Sequence, residues 1–303
     1  MTVRDPAPHP TLGLRPTPLP LLALMRPHQW VKNAFVAAPL FFTPDRLSVA
    51  SALTVLAGML CFCALSSAVY ILNDTLDREA DRRHPDKRHR PLAAGTISLA
   101  PALVAMVVLA MGGLAVALVL SAGFGTIALA YLAINALYSL KLKNVSIVDV
   151  LLVSLGFVLR VYGGAELIDV LPSVWIIVCT GLLALFLALA KRRDDLVKRL
   201  DTEHRSALKG YTKPFIDTSI TLVLGALLVS YLIYTTDPTV MNRIGSQHLY
   251  LTAPFVVAGV LRYLQITLVE ERSGSPTLLA LTDRFLVVTV LGWIVTFAVL
   301  IYG

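Results

Sequence analysis

Nine apolar runs, each close to the ~20 residues that carry a helix across a bilayer core, occupy most of this chain. They lie near 22–43, 50–73, 98–121, 123–141, 145–166, 172–191, 214–235, 249–269 and 283–302. Backbone in lipid must satisfy its own hydrogen bonds, and runs of this length do so as helices. The expected fold is therefore all-α, a polytopic membrane bundle of about nine transmembrane helices. Charged residues make up 15% of the chain and hydrophobic ones 56%, whereas soluble domains carry about 25% charged residues. Residues 1–20 are polar and proline-rich, with no apolar core before a small-residue cleavage site. They read as a disordered cytoplasmic tail rather than a removable signal. Residues 21–303 read as one transmembrane domain.

Charge placement orients the bundle. With the N-terminus inside, the loops at 74–97, 141–144, 192–213 and 270–282 hold most of the Lys and Arg, while those at 44–49, 167–171 and 236–248 hold only Arg46 and Arg243. This is the positive-inside asymmetry, and it places the C-terminus outside. The net charge of +7 then follows from topology and an anionic substrate, so no nucleic-acid partner is called for.

The segment NDTLDREADRRHPDKRHRP at 73–91 follows the second apolar run. Asn73, Asp74, Asp77 and Asp81 recur about once per helical turn, so a helix gathers most of them on one face. Oxygen ligands suit Mg²⁺, which commonly bridges a few carboxylates to substrate phosphates. Arg82, Arg83, Lys87, Arg88 and Arg90 follow at once, and such groups clamp phosphate oxygens. The plain alternative is a solvated helix end with mixed charges.

Three further groups stand out. In RPHQWVKN at 26–33, Arg26 and Trp30 suit an interface anchor, but Lys32 and Asn33 lie further into the span and call for a partner such as phosphate. In KRRDDLVKRLDTEHRSALKGYT at 191–212, Lys191, Arg192 and Arg193 could hold a diphosphate, and Asp194 and Asp195 could form a second metal-binding edge. Lys198, Arg199, Asp201 and Glu203 alternate in sign as on a solvated surface helix, and Tyr211 is a further candidate. Within the spans lie Asn135, Tyr138, Asp149, Arg160 and Arg262. Arg160 must join an internal ion pair or hold an anion. Asp149 suits either a cation or a structural hydrogen bond, and Arg262 could snorkel.

Other chemistries find no support. Cys61, Cys63 and Cys179 fall in apolar runs and read as small buried hydrophobes, with no disulfide or zinc spacing. His28, His84, His89 and His204 are scattered, not a zinc set. Walker P-loop, GxSxG and HExxH motifs are absent.

The NDxxDxxxD pattern at 73–81, in a nine-span, basic-inside chain, resembles the UbiA superfamily of intramembrane prenyltransferases. The resemblance covers nearly all of the chain after residue 20. It implies two aspartate-rich loops over a helical bundle, on the cytoplasmic side, that bind a diphosphate through Mg²⁺. The superfamily's usual second motif is DxxxD, and KRRDDL departs from it. That departure, with RPHQWVKN, DRRHPDKRHRPLAAG and LKGYT, resembles the decaprenyl-phosphate phosphoribosyltransferase branch, whose single acidic residue in the second motif aligns with Asp195. The branch implies transfer of phosphoribose from 5-phosphoribosyl-1-diphosphate to a polyprenyl phosphate in the plasma membrane, feeding cell-wall arabinan synthesis.

On that resemblance, Asp77, Asp81 and Asp195 are the expected catalytic residues. Asn73, Asp77 and Asp81 hold Mg²⁺, with Asp74 as a further ligand or a support to them. Lys87, Arg88, Arg90, Lys191 and Arg192 hold donor phosphates, Lys32 and Asn33 orient the acceptor phosphate, and Tyr138, Arg160 and Tyr211 complete the substrate-binding set. A homo-oligomer is left open. One rival is an aromatic prenyltransferase of the same superfamily, in which the lipid owns the diphosphate. A rival of another class is a transporter or lipid-binding scaffold, which an internal repeat would favour; no clear repeat is present.

Overall fold

A computed structural model describes residues 20–84, 87–197, 206–272, 274 and 276–302. The expected tail up to residue 19 and the expected surface helix around Lys198, Arg199, Asp201 and Glu203 lie outside the described residues. Among those described there is no strand. Eight helical spans are long and apolar enough to cross a membrane. They are built on α1 (Val49–Leu76), α2 (Leu99–Leu120), α3 (Ala122–Leu140), α4 (Val148–Leu167), α5 (Val174–Val197), α6 (Lys213–Thr236), α7 (Ala253–Leu268) and α8 (Arg284–Tyr302), with α7 extended by a 3₁₀ turn over Leu249–Thr252. Polar caps mark several starts. Ser48 Oγ accepts from the Ser51 N–H at 3.1 Å, and Ser121 Oγ from Gly123 and Phe124 at 3.2 and 3.4 Å. Each such bond satisfies an otherwise orphaned donor of a first turn.

The first expected span, 22–43, is not one α-helix. It is a short helix over Pro20–Met25, a 3₁₀ helix over Pro27–Ala37 and a single α-turn over Ala38–Phe41. The break has a local cause. Pro27 disfavours helical backbone in the preceding residue, and Arg26 takes a left-handed conformation with φ 52°. The 3₁₀ helix repeats every three residues, so Trp30, Asn33 and Val36 stack along one face. All three meet the bundle: Trp30 Nε1 donates to Ser67 Oγ at 3.1 Å, Asn33 Nδ2 to Ser66 Oγ at 3.4 Å, and Val36 is fully buried. At ~2.0 Å rise per 3₁₀ residue and ~1.5 Å per α residue, the broken segment is still about long enough to cross. Gly164 on α4 permits its close approach, because a Cβ there would stand 1.8 Å from the Val36 carbonyl oxygen.

Consecutive helices pack side by side, α1 on α2, α2 on α3, and so on to α6, with α7 on α8. The first segment lies against α1 and α4. The ring closes at the end opposite the two charged motifs. There Phe42 meets Phe297 with ring centroids 5.1 Å apart, and Tyr302 Oη donates to the Phe41 carbonyl at 2.9 Å. Outward faces are apolar: only 11% of the α2 span and 17% of the α8 span are buried, so lipid covers the rest.

Candidate active site

The acidic ladder crosses a joint. α1 continues to Leu76, carrying Asn73 and Asp74, and Asp77 stands where α1 ends and the helix Arg78–Arg83 begins. The Asp77 N–H donates to the Asn73 carbonyl at 2.9 Å and the Asp81 N–H to the Asp77 carbonyl at 2.7 Å. Helical spacing thus persists through the joint. Every carboxylate of the ladder meets a cation. Asp74, 2% exposed, accepts from Arg26 at 2.5 Å and Arg90 at 3.1 Å. The same Arg90 nitrogen reaches Asp81 at 2.7 Å. Asp77, the most open of the three at 37% side-chain exposure, is paired with Lys143. Lys87 is half-buried beside this ladder, and Arg88 is exposed, its Nε 3.3 Å from His89 Nε2.

The second charged motif is part of a helix. α5 continues to Val197, so Lys191 to Asp195 form its late turns and do not open a loop. Their helical spread separates their roles. Arg192, 3% exposed, donates from Nε to Asp149 Oδ2 at 2.7 Å and from Nη1 to Asp195 Oδ2 at 2.8 Å. Arg193 turns away to Asp217 at 2.6 Å and the Thr267 carbonyl at 2.7 Å. Lys191 is exposed. Asp149 is fully buried and also accepts from Tyr211 Oη at 2.7 Å. Burial, then this bond, pushes the Tyr211 phenol well above its ordinary pKa. Tyr138 lies within electrostatic range of Arg192, whereas Asn135 spends its amide on the Tyr131 carbonyl at 2.8 Å.

A third group lies deeper in the bundle. Arg160 on α4 is 5% exposed and donates to Asn33 Oδ1 at 2.8 Å, the Gly156 carbonyl at 2.7 Å and Tyr131 Oη at 2.9 Å. Its guanidinium also faces the rings of Tyr131, Phe157 and Phe62 at 4.9, 5.3 and 5.7 Å. Among the described residues it has no carboxylate partner. Half-buried Lys32 is close enough to feel Arg160 and Arg26, and it has no hydrogen-bond or ion-pair partner among the described residues. Neutral acceptors and aromatic faces offset part of the cost of burying Arg160, but the local charge stays positive.

The loop 141–147 joins the clusters of the two charged motifs. Lys143 reaches Asp77, Ser146 Oγ donates to the Ala207 carbonyl at 2.7 Å, and the Ile147 N–H donates to Tyr211 Oη at 2.6 Å. Sequence reasoning used Lys143 only as a topology charge and Arg26 only as an anchor. It held Asp149 as a candidate without its partners. The sequence pattern assigned the ladder to metal and Arg90 to phosphate; in the structure Arg90 instead pairs with Asp74 and Asp81, and Lys143 from a distant loop pairs with Asp77.

The arrangement suits anions held against carboxylates that can exchange their cationic partners. The pattern of the UbiA prenyltransferase family matches residues 30–289. The chain belongs to this family. Two similar relatives are the decaprenyl-phosphate phosphoribosyltransferase of Mycolicibacterium smegmatis, 32% identical over 93% of this chain and 92% of the relative, and that of Corynebacterium glutamicum, 31% identical over 93% and 86%. The solved UbiA homolog from Archaeoglobus fulgidus bound to DMAPP and Mg²⁺ shares the fold, with a TM-score of 0.69, 20% identity and coverage of 93% and 99%.

Proposed function

We propose that this UbiA-family chain transfers the 5-phosphoribosyl group from 5-phosphoribosyl-1-diphosphate to a polyprenyl phosphate and releases diphosphate. The named activity of relatives that match nearly end to end supports the reaction. The observation that carries the reading is the positive charge of Lys32 beside Arg160. It lies on the first segment beside Arg160, where the phosphate of a lipid acceptor would supply the missing anion. Asn33 holds the first segment against Arg160 and so presents Lys32. Tyr138 and Arg160 complete the surroundings of the substrates.

In the reaction the bond from ribose C1 to the diphosphate oxygen breaks and its electron pair leaves with diphosphate. A lipid phosphate oxygen then bonds C1. That oxygen is already anionic at neutral pH, so no general base is needed. Lys87, Arg88, Arg90, Lys191 and Arg192 hold donor phosphates and stabilise the charge that develops as the leaving group departs.

The donor set fits Mg²⁺. Asn73 offers an amide oxygen and Asp77 and Asp81 carboxylates, with Asp74 behind them and Asp195 on the facing motif. Among the described residues no three acidic, His or Cys side chains cluster as a ready-made metal cage, and Mg²⁺ needs only one or two carboxylates when phosphates supply the rest. When bound, the ion would neutralise the diphosphate leaving group. Lys143 and Arg90, released from the carboxylates, would turn to phosphate oxygens. Positive-inside topology puts this chemistry on the cytoplasmic face of the plasma membrane.

Equilibrium binding to the purified protein tests donor choice. Phosphoribosyl diphosphate should bind in a Mg²⁺-dependent manner, and dimethylallyl diphosphate should not displace it. Tight binding of the prenyl diphosphate with no uptake of phosphoribosyl diphosphate would replace this reading by the aromatic prenyltransferase.

A further inference from the structure

Ile147 immediately precedes α4 with φ 71° and ψ −50°. A β-branched residue is a genuine outlier there, and such backbone persists only where its surroundings hold it. The holding contact is a side chain from a segment more than sixty residues away in sequence: the Ile147 N–H donates to Tyr211 Oη at 2.6 Å. The same hydroxyl donates its own proton to Asp149 Oδ1 at 2.7 Å. The neighbouring residue pair is stitched as well, Ser146 Oγ to the Ala207 carbonyl at 2.7 Å. Gly210 allows the approach, since a Cβ there would stand 2.1 Å from Ser146 Oγ.

The Tyr211 hydroxyl, expected to meet substrate, is thus engaged at both its donor and an acceptor position by protein, and the residue is 4% exposed. Asp149 has one oxygen fixed by Tyr211 and the other on Arg192 Nε. Arg192 Nη1 is fixed by Asp195. Among the described residues Arg192 Nη2 has no acceptor. A guanidinium locked on two sides presents its third in a set direction.

We propose that Tyr211 is a positioning residue: it fixes Asp149, and Asp149 aims Arg192 Nη2 at the diphosphate of the donor. The proposal deepens the proposed function, since the diphosphate is the donor group named there. Diphosphate is also the leaving group of the rival reaction, so inorganic diphosphate serves as a probe that does not depend on donor identity.

The test measures the Kd of inorganic diphosphate with Mg²⁺, and the KM of phosphoribosyl diphosphate and of the lipid acceptor, in Tyr211→Phe, Asp149→Asn, Arg192→Ala and Tyr211→Phe/Arg192→Ala. Phenylalanine keeps the ring packed on Phe215. Tyr211→Phe should weaken diphosphate and raise the donor KM about tenfold, the size of one lost hydrogen bond, and leave the acceptor KM unchanged. In the Arg192→Ala background it should add nothing. An unchanged diphosphate Kd, an equal rise in both substrate KM values, or a full effect without Arg192 would overturn the proposal. Loss of folded protein in both Tyr211→Phe and Asp149→Asn, read by thermal melting, would also overturn it by making the network a structural prop. If diphosphate binding responds as stated but phosphoribosyl diphosphate is not used, the donor reading falls and the positioning role stands.

Discussion

Asp77→Ala should abolish turnover while the protein still folds. Asp77 is the most exposed carboxylate of the ladder and stands at the joint between α1 and the helix Arg78–Arg83, so its loss opens no cavity. Its removal takes away a proposed metal ligand and leaves Lys143 without its partner. Metal stabilisation of a departing oxygen is worth several kcal/mol, which sets the loss at ~1,000-fold or more. The melting temperature should move little, because a half-exposed ion pair contributes only ~0–1 kcal/mol. Steady-state turnover and a melt of the same preparation check both halves. The double variant Asp77→Ala/Lys143→Ala separates two causes. If it regains activity, Asp77 serves to neutralise Lys143 and is no metal ligand; if it stays inactive, the ligand role stands.

Lys32→Ala should raise the KM for the polyprenyl phosphate by about 10- to 100-fold, the effect of a lost charge-assisted hydrogen bond. The donor KM should hold steady. Lys32 lies on the first segment, beside Arg160 and Arg26, and not on either charged motif. Arg88→Ala and Lys191→Ala should show the reverse pattern, since both are exposed on the two charged motifs proposed to hold the donor. Varying each substrate at saturating levels of the other, in all three variants, checks the division. Equal losses for both substrates throughout would dismiss the assignment of Lys32 to the acceptor.

The positions of most spans were legible from hydropathy alone. The run expected at 98–121 is α2 at Leu99–Leu120, and that at 214–235 is α6 at Lys213–Thr236. Lipid imposes length and apolarity, and both are written directly in the residues. The end of α5 was not legible in this way. A hydropathy window treats Lys191-Arg192-Arg193 as an exit, yet the helix continues because Arg192 and Arg193 find Asp149 and Asp217 inside the fold. The broken first segment reads as an ordinary apolar run, since hydropathy does not distinguish 3₁₀ from α. Pro27 was the one local signal.

The site shows the same divide. The ladder spacing of Asn73, Asp77 and Asp81 is a helical repeat and survives the joint. Partners that arrive from far along the chain left no local trace. Lys143 looks like any basic residue of a loop between spans, and nothing near Arg160 in sequence signals that Asn33 and Tyr131 would receive it. The alternatives open for Arg160 were an ion pair or an anion. The fold adds neutral acceptors and aromatic rings, which hold the charge without cancelling it.

The proposed reaction is phosphoribosyl transfer onto a lipid phosphate. The direct measurement uses the purified protein in liposomes that contain polyprenyl phosphate, with Mg²⁺ and phosphoribosyl diphosphate labelled in the ribose. Label should enter the lipid fraction, one diphosphate should appear for each lipid labelled, and chelation of Mg²⁺ should stop both. Label that stays in the aqueous phase, while a prenyl diphosphate is transferred to an aromatic acid by the same preparation, would contradict it.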